Sequence, residues 1–248
     1  MIDDLPRPPI PLRATAAIFA DLDGTLADIR PTPGEVKPDA ERGLLLTRLA
    51  DALGGRLAVI SGRGLADLDR VLEGRVTAVG AVHGLIRRTA AGELKTSGDN
   101  RNIAEAVSAF DRLASDDPGL LVENKDAAAA IHFRLAPGFG QACEALAQKL
   151  ANDHGLLVQH GAMVVEVRAP GPDKGDAVTA FMREPPFLGS APIFIGDDVT
   201  DENGFRAAEA LGGFGVIVGP RRPTRARYGL PDVKSVQAWL GSMLEVTA

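Results

Sequence analysis

Along this chain, short uninterrupted apolar runs alternate with longer stretches in which apolar positions recur at helical spacing. Ala16-Ala17-Ile18-Phe19-Ala20 predicts a strand, Pro38 to Leu53 a helix, Arg56-Leu57-Ala58-Val59-Ile60 a second strand and Leu65 to Leu72 a second helix. A strand with no polar face is buried on both sides, and such strands separated by helices build the βαβ units of a parallel sheet. The style returns near the carboxyl end, with a helix over Lys174 to Arg183, a strand at Ile193-Phe194-Ile195, a helix over Glu202 to Leu211 and a strand at Val216-Ile217-Val218.

The middle of the chain breaks this alternation. Residues 92–168 predict a helix (Asn102 to Leu113), strands (Leu120 to Val122, Ala130 to Leu135), a second helix (Gly140 to Asn152) and strands around Leu157 and Val164. An α-β-β-α-β-β order is expected of a smaller α+β domain inserted into the sheet domain. Residues 1–91 and 169–248 then form the core, and residues 92–168 a cap. The Ala127-Ala130 run is ambiguous, because alanine favours helix while the following Ile131-His132-Phe133-Arg134-Leu135 alternates as a strand does.

The chain has 248 residues, enough for a core and an insert, and a net charge of -6. That acidity argues against a nucleic-acid partner, which would call for a basic stripe, and favours a small molecule. Cys143 is the single cysteine, so an intrachain disulfide and a cysteine-rich zinc site are both excluded. Its Ala/Leu-rich helical surroundings suit packing, and a reducing cytoplasm fits best. The amino-terminal Met1-Ile2-Asp3-Asp4-Leu5-Pro6-Arg7-Pro8-Pro9 is acidic and proline-rich, unlike a secretory signal, and no run is long enough to span a bilayer. The basic stretch from Arg221 to Arg227 reads as solvated surface and Trp239 as packing.

Candidate chemistry lies where predicted strands run out. Phe19-Ala20 leads into Asp21-Leu22-Asp23-Gly24, Val59-Ile60 into Ser61-Gly62-Arg63, and Phe194-Ile195-Gly196 into Asp197-Asp198. In an open parallel sheet ligands bind at the carboxyl ends of strands, so these segments are expected to converge. At least three carboxylates, a hydroxyl and backbone amides together suit Mg²⁺ and a phosphate. Lys174 opens a predicted helix, where the amino terminus already favours anions. No serine stands in a nucleophile elbow, and nothing near His132, His154 or His160 supplies a metal-ligand spacing.

Taken in order, Asp21-Leu22-Asp23-Gly24-Thr25-Leu26, Ser61-Gly62-Arg63, Lys174-Gly175 and Gly196-Asp197-Asp198-Val199-Thr200-Asp201-Glu202 resemble the four motifs of the haloacid dehalogenase superfamily. More narrowly, the last of these together with Val82-His83-Gly84, Glu123-Asn124-Lys125, Ile131-His132-Phe133-Arg134 and Glu166-Val167-Arg168 is similar to the bacterial trehalose-phosphatase family, over about Phe19 to Leu240. Two departures are small: Leu22 stands where many relatives have Tyr, and Ala169-Pro170-Gly171-Pro172 loosens the spacing before Lys174.

The resemblance implies a Rossmann-like, doubly wound α/β core with the inserted domain acting as a lid. Asp21 would be the nucleophile, forming an aspartyl phosphate, and Asp23 the general acid and base. Mg²⁺ would sit between Asp21, the Asp23 carbonyl and Asp197, with Asp198 and Asp201 holding its waters. Ser61, Gly62 and the Leu22 amide would grip phosphoryl oxygens while Lys174 stabilises the transition state. Glu123, Lys125 and Glu166 of the insert would hold hydroxyls of the distal glucose, with His83 and Arg63 nearby on the core side. The implied substrate is trehalose 6-phosphate, cleaved in the last step of a trehalose synthesis that pairs the enzyme with a synthase. Another sugar phosphate, such as sucrose 6-phosphate or mannosyl-3-phosphoglycerate, is the nearest alternative. A non-catalytic sugar-phosphate-binding subunit is a further one, opposed by the intact and costly carboxylate cluster.

Overall fold

The computed structural model describes residues 5–98, 101–220 and 222–245. The acidic start of the amino-terminal arm and Arg221 of the basic stretch lie outside them. Strand β1 (Ala16–Ala20) is followed by α1 (Ala40–Ala52), β2 (Leu57–Ile60), α2 (Leu65–Leu72), β3 (Ala78–Ala81), β4 (Ile86–Arg88) and β5 (Leu94–Thr96). The middle segment supplies α3 (Ile103–Ala114), β6 (Leu121–Asn124), β7 (Ala128–His132), α4 (Gly140–His154), β8 (Leu157–Gly161) and β9 (Val164–Arg168). The chain then continues through α5 (Lys174–Phe181), β10 (Ala191–Gly196), α6 (Glu202–Ala210), β11 (Phe214–Val218), β12 (Tyr228–Leu230) and α7 (Val233–Glu245). Two compact units result, one of Met1–Lys95 with Pro172–Ala248 and the other of Thr96–Gly171.

Among the described residues, the first unit is organised on a sheet of order β12-β11-β10-β1-β2-β3-β4-β5, parallel from β12 to β3. Every residue of β1 is buried, which is why its sequence is apolar throughout rather than alternating. Strand order moves outward from β1 through β2 and β3, then returns to lay β10 against the other side of β1. The boundary between β1 and β10 is therefore the point where the winding reverses, the place where open α/β sheets bind their ligands. One face of the sheet is filled by Phe19, Phe181, Phe187, Phe194 and Phe205, with Phe19 stacked on Phe187 at a centroid distance of 5.3 Å.

A charged cluster ties the edge region to the segment after α5. Arg87 donates to both carboxylate oxygens of Glu184, at 2.8 and 3.0 Å, and Lys95 donates to one of them at 2.7 Å. The Arg87 hydrogen bonds hold the Glu184 carboxyl down at about 2. A depressed carboxyl stabilises the fold above its unfolded value, about 4.5, and loses that contribution as pH falls through the folded value. Glu184→Gln is expected to cost about 1 kcal/mol at pH 7, discounted for the partial exposure of the pair. The difference in Tm between variant and wild type should start to shrink below about pH 4.5 and vanish only below about pH 2; a difference that does not change with pH would refute the assignment.

The second unit is a four-stranded antiparallel sheet, β6-β7-β9-β8, with Ile103, Phe110, Ile131, Cys143, Val165 and Val167 in its core. The Ala127-Ala130 ambiguity resolves toward strand from Ala128 onward. Ala128, Ala129 and Ala130 are fully buried between β6 and β9, and two-sided pairing outweighs the helical preference of alanine. Cys143 packs as expected, and Trp239 is buried with its indole N–H donating to the Pro9 carbonyl at 3.3 Å. Among the described residues no helix is long and apolar enough to cross a membrane.

Candidate active site

Parallel register brings the strand ends together. Ala20 lies opposite Ile195 on one side and Val59 on the other, so Asp21, one residue further, and Ser61 and Asp197, each two residues further, leave the sheet at a common edge. Asp21 is buried, and its carboxylate is fixed by two donors: the Leu22 amide reaches Oδ1 at 2.7 Å and Lys174 Nζ reaches Oδ2 at 2.9 Å. Lys174 is the first residue of α5, where a reciprocal capping box between Asp173 and Asp176 sets the helix start and hence the lysine's direction. The same ammonium donates to Asp201 Oδ1 at 2.6 Å, and the Asp198 amide donates to Asp201 Oδ2 at 2.9 Å. Asp201, 0% exposed, is thus a pillar under the Asp197-Asp198 loop.

Gly24 is required twice over. Its φ of +74° suits glycine, and a Cβ there would stand 2.1 Å from Asp197 Oδ2, so the Asp-Gly turn after β1 can touch the second carboxylate only without a side chain. Gly62 plays a similar part, since a Cβ on it would meet the His83 ring at 2.6 Å. Val82 and His83, at φ +48° and +57°, form a left-handed turn beside it. For β-branched Val82 that conformation is costly, on the order of 1–3 kcal/mol, and the surrounding packing imposes it.

Three carboxylates, those of Asp21, Asp197 and Asp201, place oxygens within 4.8 Å of one another. Burial pushes the Asp21 carboxyl up to about 8 against the pull of Lys174, with Asp201, Asp197 and Asp23 adding to the rise. Burial likewise raises Asp197 to about 7, with Asp201 adding. Burial works against the Lys174 ammonium too, but Asp201 and Asp21 together keep its pKa above the ordinary lysine value. One ammonium faces three carboxylates, which with all three ionised is an excess of two negative charges in a largely dry site, and this is why burial favours their protonated forms when no cation is bound. A hard divalent cation with oxygen ligands is the group this donor set fits.

The candidate residues do not all stand where the motifs suggest. Asp201, expected behind the metal ligands, belongs to the carboxylate group itself. Asp23 stands outside that carboxylate group, and its oxygens accept from Arg63 Nε at 2.6 Å and Nη2 at 2.7 Å. Arg63, expected to touch substrate, is 6% exposed and also bonds Asp67 and the Pro33 carbonyl, so its guanidinium is committed to protein partners. Ser61 is buried at the end of β2, with its amide donating to Gly80 at 2.8 Å and its carbonyl accepting from His83 at 2.9 Å. Asp198 is exposed and caps the turn Val199–Asp201 through its side chain.

Glu202 and Arg222 were given no role by the sequence, the latter being read as solvated. Arg222 instead donates to Glu202 at 2.5 Å and to the Asp198 carbonyl at 2.5 Å. The available signal was position: the basic stretch follows β11, the neighbour of β10, at the carboxyl edge of the sheet.

The second unit has its own polar cluster. Register places Glu123, Ala130 and Glu166 in one row across β6, β7 and β9, with the two glutamates on the face opposite the apolar Val165 and Val167. The small Ala130 between them leaves room for the Lys125 ammonium, which lies 2.6 Å from Glu166 and 3.6 Å from Glu123. His132 Nε2 stands 3.1 Å from Glu123.

The fold, a doubly wound sheet with an Asp-x-Asp-Gly turn at its reversal point, is shared with a solved structure described as a haloacid dehalogenase-like hydrolase from Bacteroides thetaiotaomicron, at a TM-score of 0.66 and 17% identity over 93% of this chain and 99% of that one. Comparison with known proteins narrows this. A family model described as trehalose-phosphatase matches residues 19–234. The trehalose-6-phosphate phosphatase of Escherichia coli (strain K12) is 40% identical over 233 residues, covering 92% of this chain and 86% of that protein. A bifunctional trehalose-6-phosphate synthase/phosphatase of Thermoproteus tenax is 34% identical over 234 residues, covering 90% of this chain and 31% of that longer protein. The solved structure of a trehalose-6-phosphate phosphatase related protein matches with a TM-score of 0.77 at 26% identity, over 92% of this chain and 97% of that one. The chain belongs to the trehalose-phosphatase family, whose members are phosphoric monoester hydrolases.

Proposed function

We propose that the protein hydrolyses trehalose 6-phosphate to trehalose and phosphate through a phosphoryl group carried on Asp21, with Mg²⁺ as its cation. The observation that carries this reading is the cluster at the reversal point, where a buried Asp21 shares one ammonium with Asp201 and stands beside Asp197. Asp21 attacks phosphorus, and the bond from phosphorus to the sugar oxygen breaks. Asp23 gives its proton to that oxygen, then takes one from the water that attacks the aspartyl phosphate and releases inorganic phosphate. The Leu22 amide and Lys174 fix the plane of the attacking carboxylate, and Lys174 offsets the charge that develops on the phosphoryl oxygens. Arg63 orients Asp23 through its paired hydrogen bonds, while Ser61 and Gly62 supply further phosphate donors and His83 lines the same edge.

Asp21 and Asp197 would hold the Mg²⁺ with the Asp23 carbonyl, and Asp201 and Asp198 would steady that loop and the ion's waters. When bound, the cation shields the two anions from each other and polarises the phosphoryl group. Glu123, Lys125 and Glu166 recognise the sugar, and the unit that bears them acts as a lid. The fused synthase of the Thermoproteus tenax relative supports a functional pairing with a synthase, and the buried thiol Cys143 suits a reducing cytoplasm.

Two measurements test this reading. A phosphate-release panel should rank trehalose 6-phosphate above sucrose 6-phosphate and mannosyl-3-phosphoglycerate; a reversed ranking overturns the substrate. Chelation should abolish turnover, Mg²⁺ should restore it, and Ca²⁺ should compete without support, because its longer and more numerous bonds misplace the attacking carboxylate. Full activity in excess chelator overturns the metal.

A further inference from the structure

Among the described residues, Arg222 is the side chain of the loop after β11 that reaches back to the acidic turn after β10. Nη2 donates to the carbonyl of Asp198 at 2.5 Å and lies 3.4 Å from that of Asp197, while Nη1 pairs with Glu202 Oε1 at 2.5 Å. The other oxygen of Glu202 accepts from the Arg225 amide at 2.8 Å, so the glutamate is itself held in place. Glu202 is the first residue of α6, and the turn Val199–Asp201 lies between it and Asp198. The guanidinium therefore closes a ring of contacts from the β10 end, through α6, to the loop after β11. Its side chain is 23% exposed, and its Nε is buried without a hydrogen-bond partner among the described residues, a cost that the contacts made by the two Nη atoms offset.

The backbone that this fork grips is the backbone that carries the Asp197 carboxylate. From the other side the turn rests on Asp201, which is anchored by Lys174. Removing Arg222 would leave the loop held by Asp201 and by the long contact of Thr25 Oγ1 to Asp197 at 3.5 Å, and would also take a positive charge from beside the most acidic part of the molecule.

We propose that Arg222, braced by Glu202, is a positioning residue that fixes the Asp197-Asp198 loop and thereby sets the affinity of the cation site. This rests on the reading of Asp197 as a metal ligand, and it assigns Arg222 to loading of the ion rather than to phosphoryl transfer. Partners that orient a ligand in this way commonly govern metal affinity by about 10- to 100-fold.

The test uses the full chain and two readouts: Mn²⁺ binding, followed by loss of the free-ion EPR signal without substrate, and the Mg²⁺ dependence of phosphate release. Arg222→Ala is expected to weaken Mn²⁺ binding at least tenfold, equivalent to about 1.4 kcal/mol, and to raise the half-saturating Mg²⁺ in parallel. Turnover at saturating Mg²⁺ should fall by less than about threefold, a separation of the two effects that general loosening of the fold would not give. Arg222→Lys keeps the charge but not the fork and should lie between, and Glu202→Gln should shift affinity in the same direction as Arg222→Ala. Should Arg222→Ala fail to fold by circular dichroism, the other two variants carry the comparison. Wild-type Mn²⁺ affinity in the folded variants overturns the role of Arg222 and leaves the metal reading standing. A wild-type protein that binds no Mn²⁺ overturns the metal reading and this inference with it.

Discussion

Asp21→Asn is expected to fold as the wild type does and to release no measurable phosphate, a loss of at least roughly 10⁴-fold if the carboxylate is the nucleophile. An amide has no charged oxygen to offer phosphorus. Folding should survive because the substitution removes one of three crowded carboxylates, and the Lys174 ammonium keeps Asp201 at 2.6 Å. Tm is therefore expected to be unchanged or higher. Trapping with acid after a pulse of substrate should recover phosphate covalently attached to the wild type and none on the variant. Near wild-type turnover in the variant would end the covalent mechanism.

The second large effect concerns recognition, and Glu166→Gln is the informative change. Truncation to alanine would remove the shorter of two carboxylate contacts of the buried Lys125 ammonium, 2.6 Å from Glu166 and 3.6 Å from Glu123, and open a gap beside it, so its effect would mix structure with recognition. Glutamine keeps the shape and one hydrogen bond while removing the charge. A charged hydrogen bond to a sugar hydroxyl is worth about 1.5–3 kcal/mol, so kcat/KM for trehalose 6-phosphate should drop by about 10- to 150-fold. An aryl phosphate too small to engage the cluster should be hydrolysed as before. Equal losses on both compounds would place Glu166 with the phosphate chemistry, and no loss on either would remove it from recognition.

What could be read from the residues follows their physics. The fully apolar β1 and the helical stretch over Leu65–Leu72 announced themselves by pattern, and the Asp-Gly turn by the cost of unpaired charge. By contrast β3, Ala78–Ala81, is short and built of small residues, while β4 and β5 carry arginine and lysine at the far edge of the sheet. Neither length nor hydrophobicity marks such strands; only pairing with a neighbour makes them. The carboxylates of the site were legible because their spacing is local. The commitments of Arg63 to Asp23 and Asp67, and of Arg222 to Glu202, depend on which side chain another segment presents, and no local pattern encodes that.

The central position of β1 has a consequence for how the protein comes into being on the ribosome. β1 is translated well ahead of one of its two flanking partners, β10, which ends at Gly196. At translation rates of roughly 5–20 residues per second, β1 waits roughly 10–35 s for that neighbour. Until then its apolar edge lacks that strand, and until Lys174 emerges Asp21 lacks the ammonium that holds it. A ribosome stalled within the middle unit would thus display a sticky, catalytically mute half-sheet, a natural client for holding chaperones.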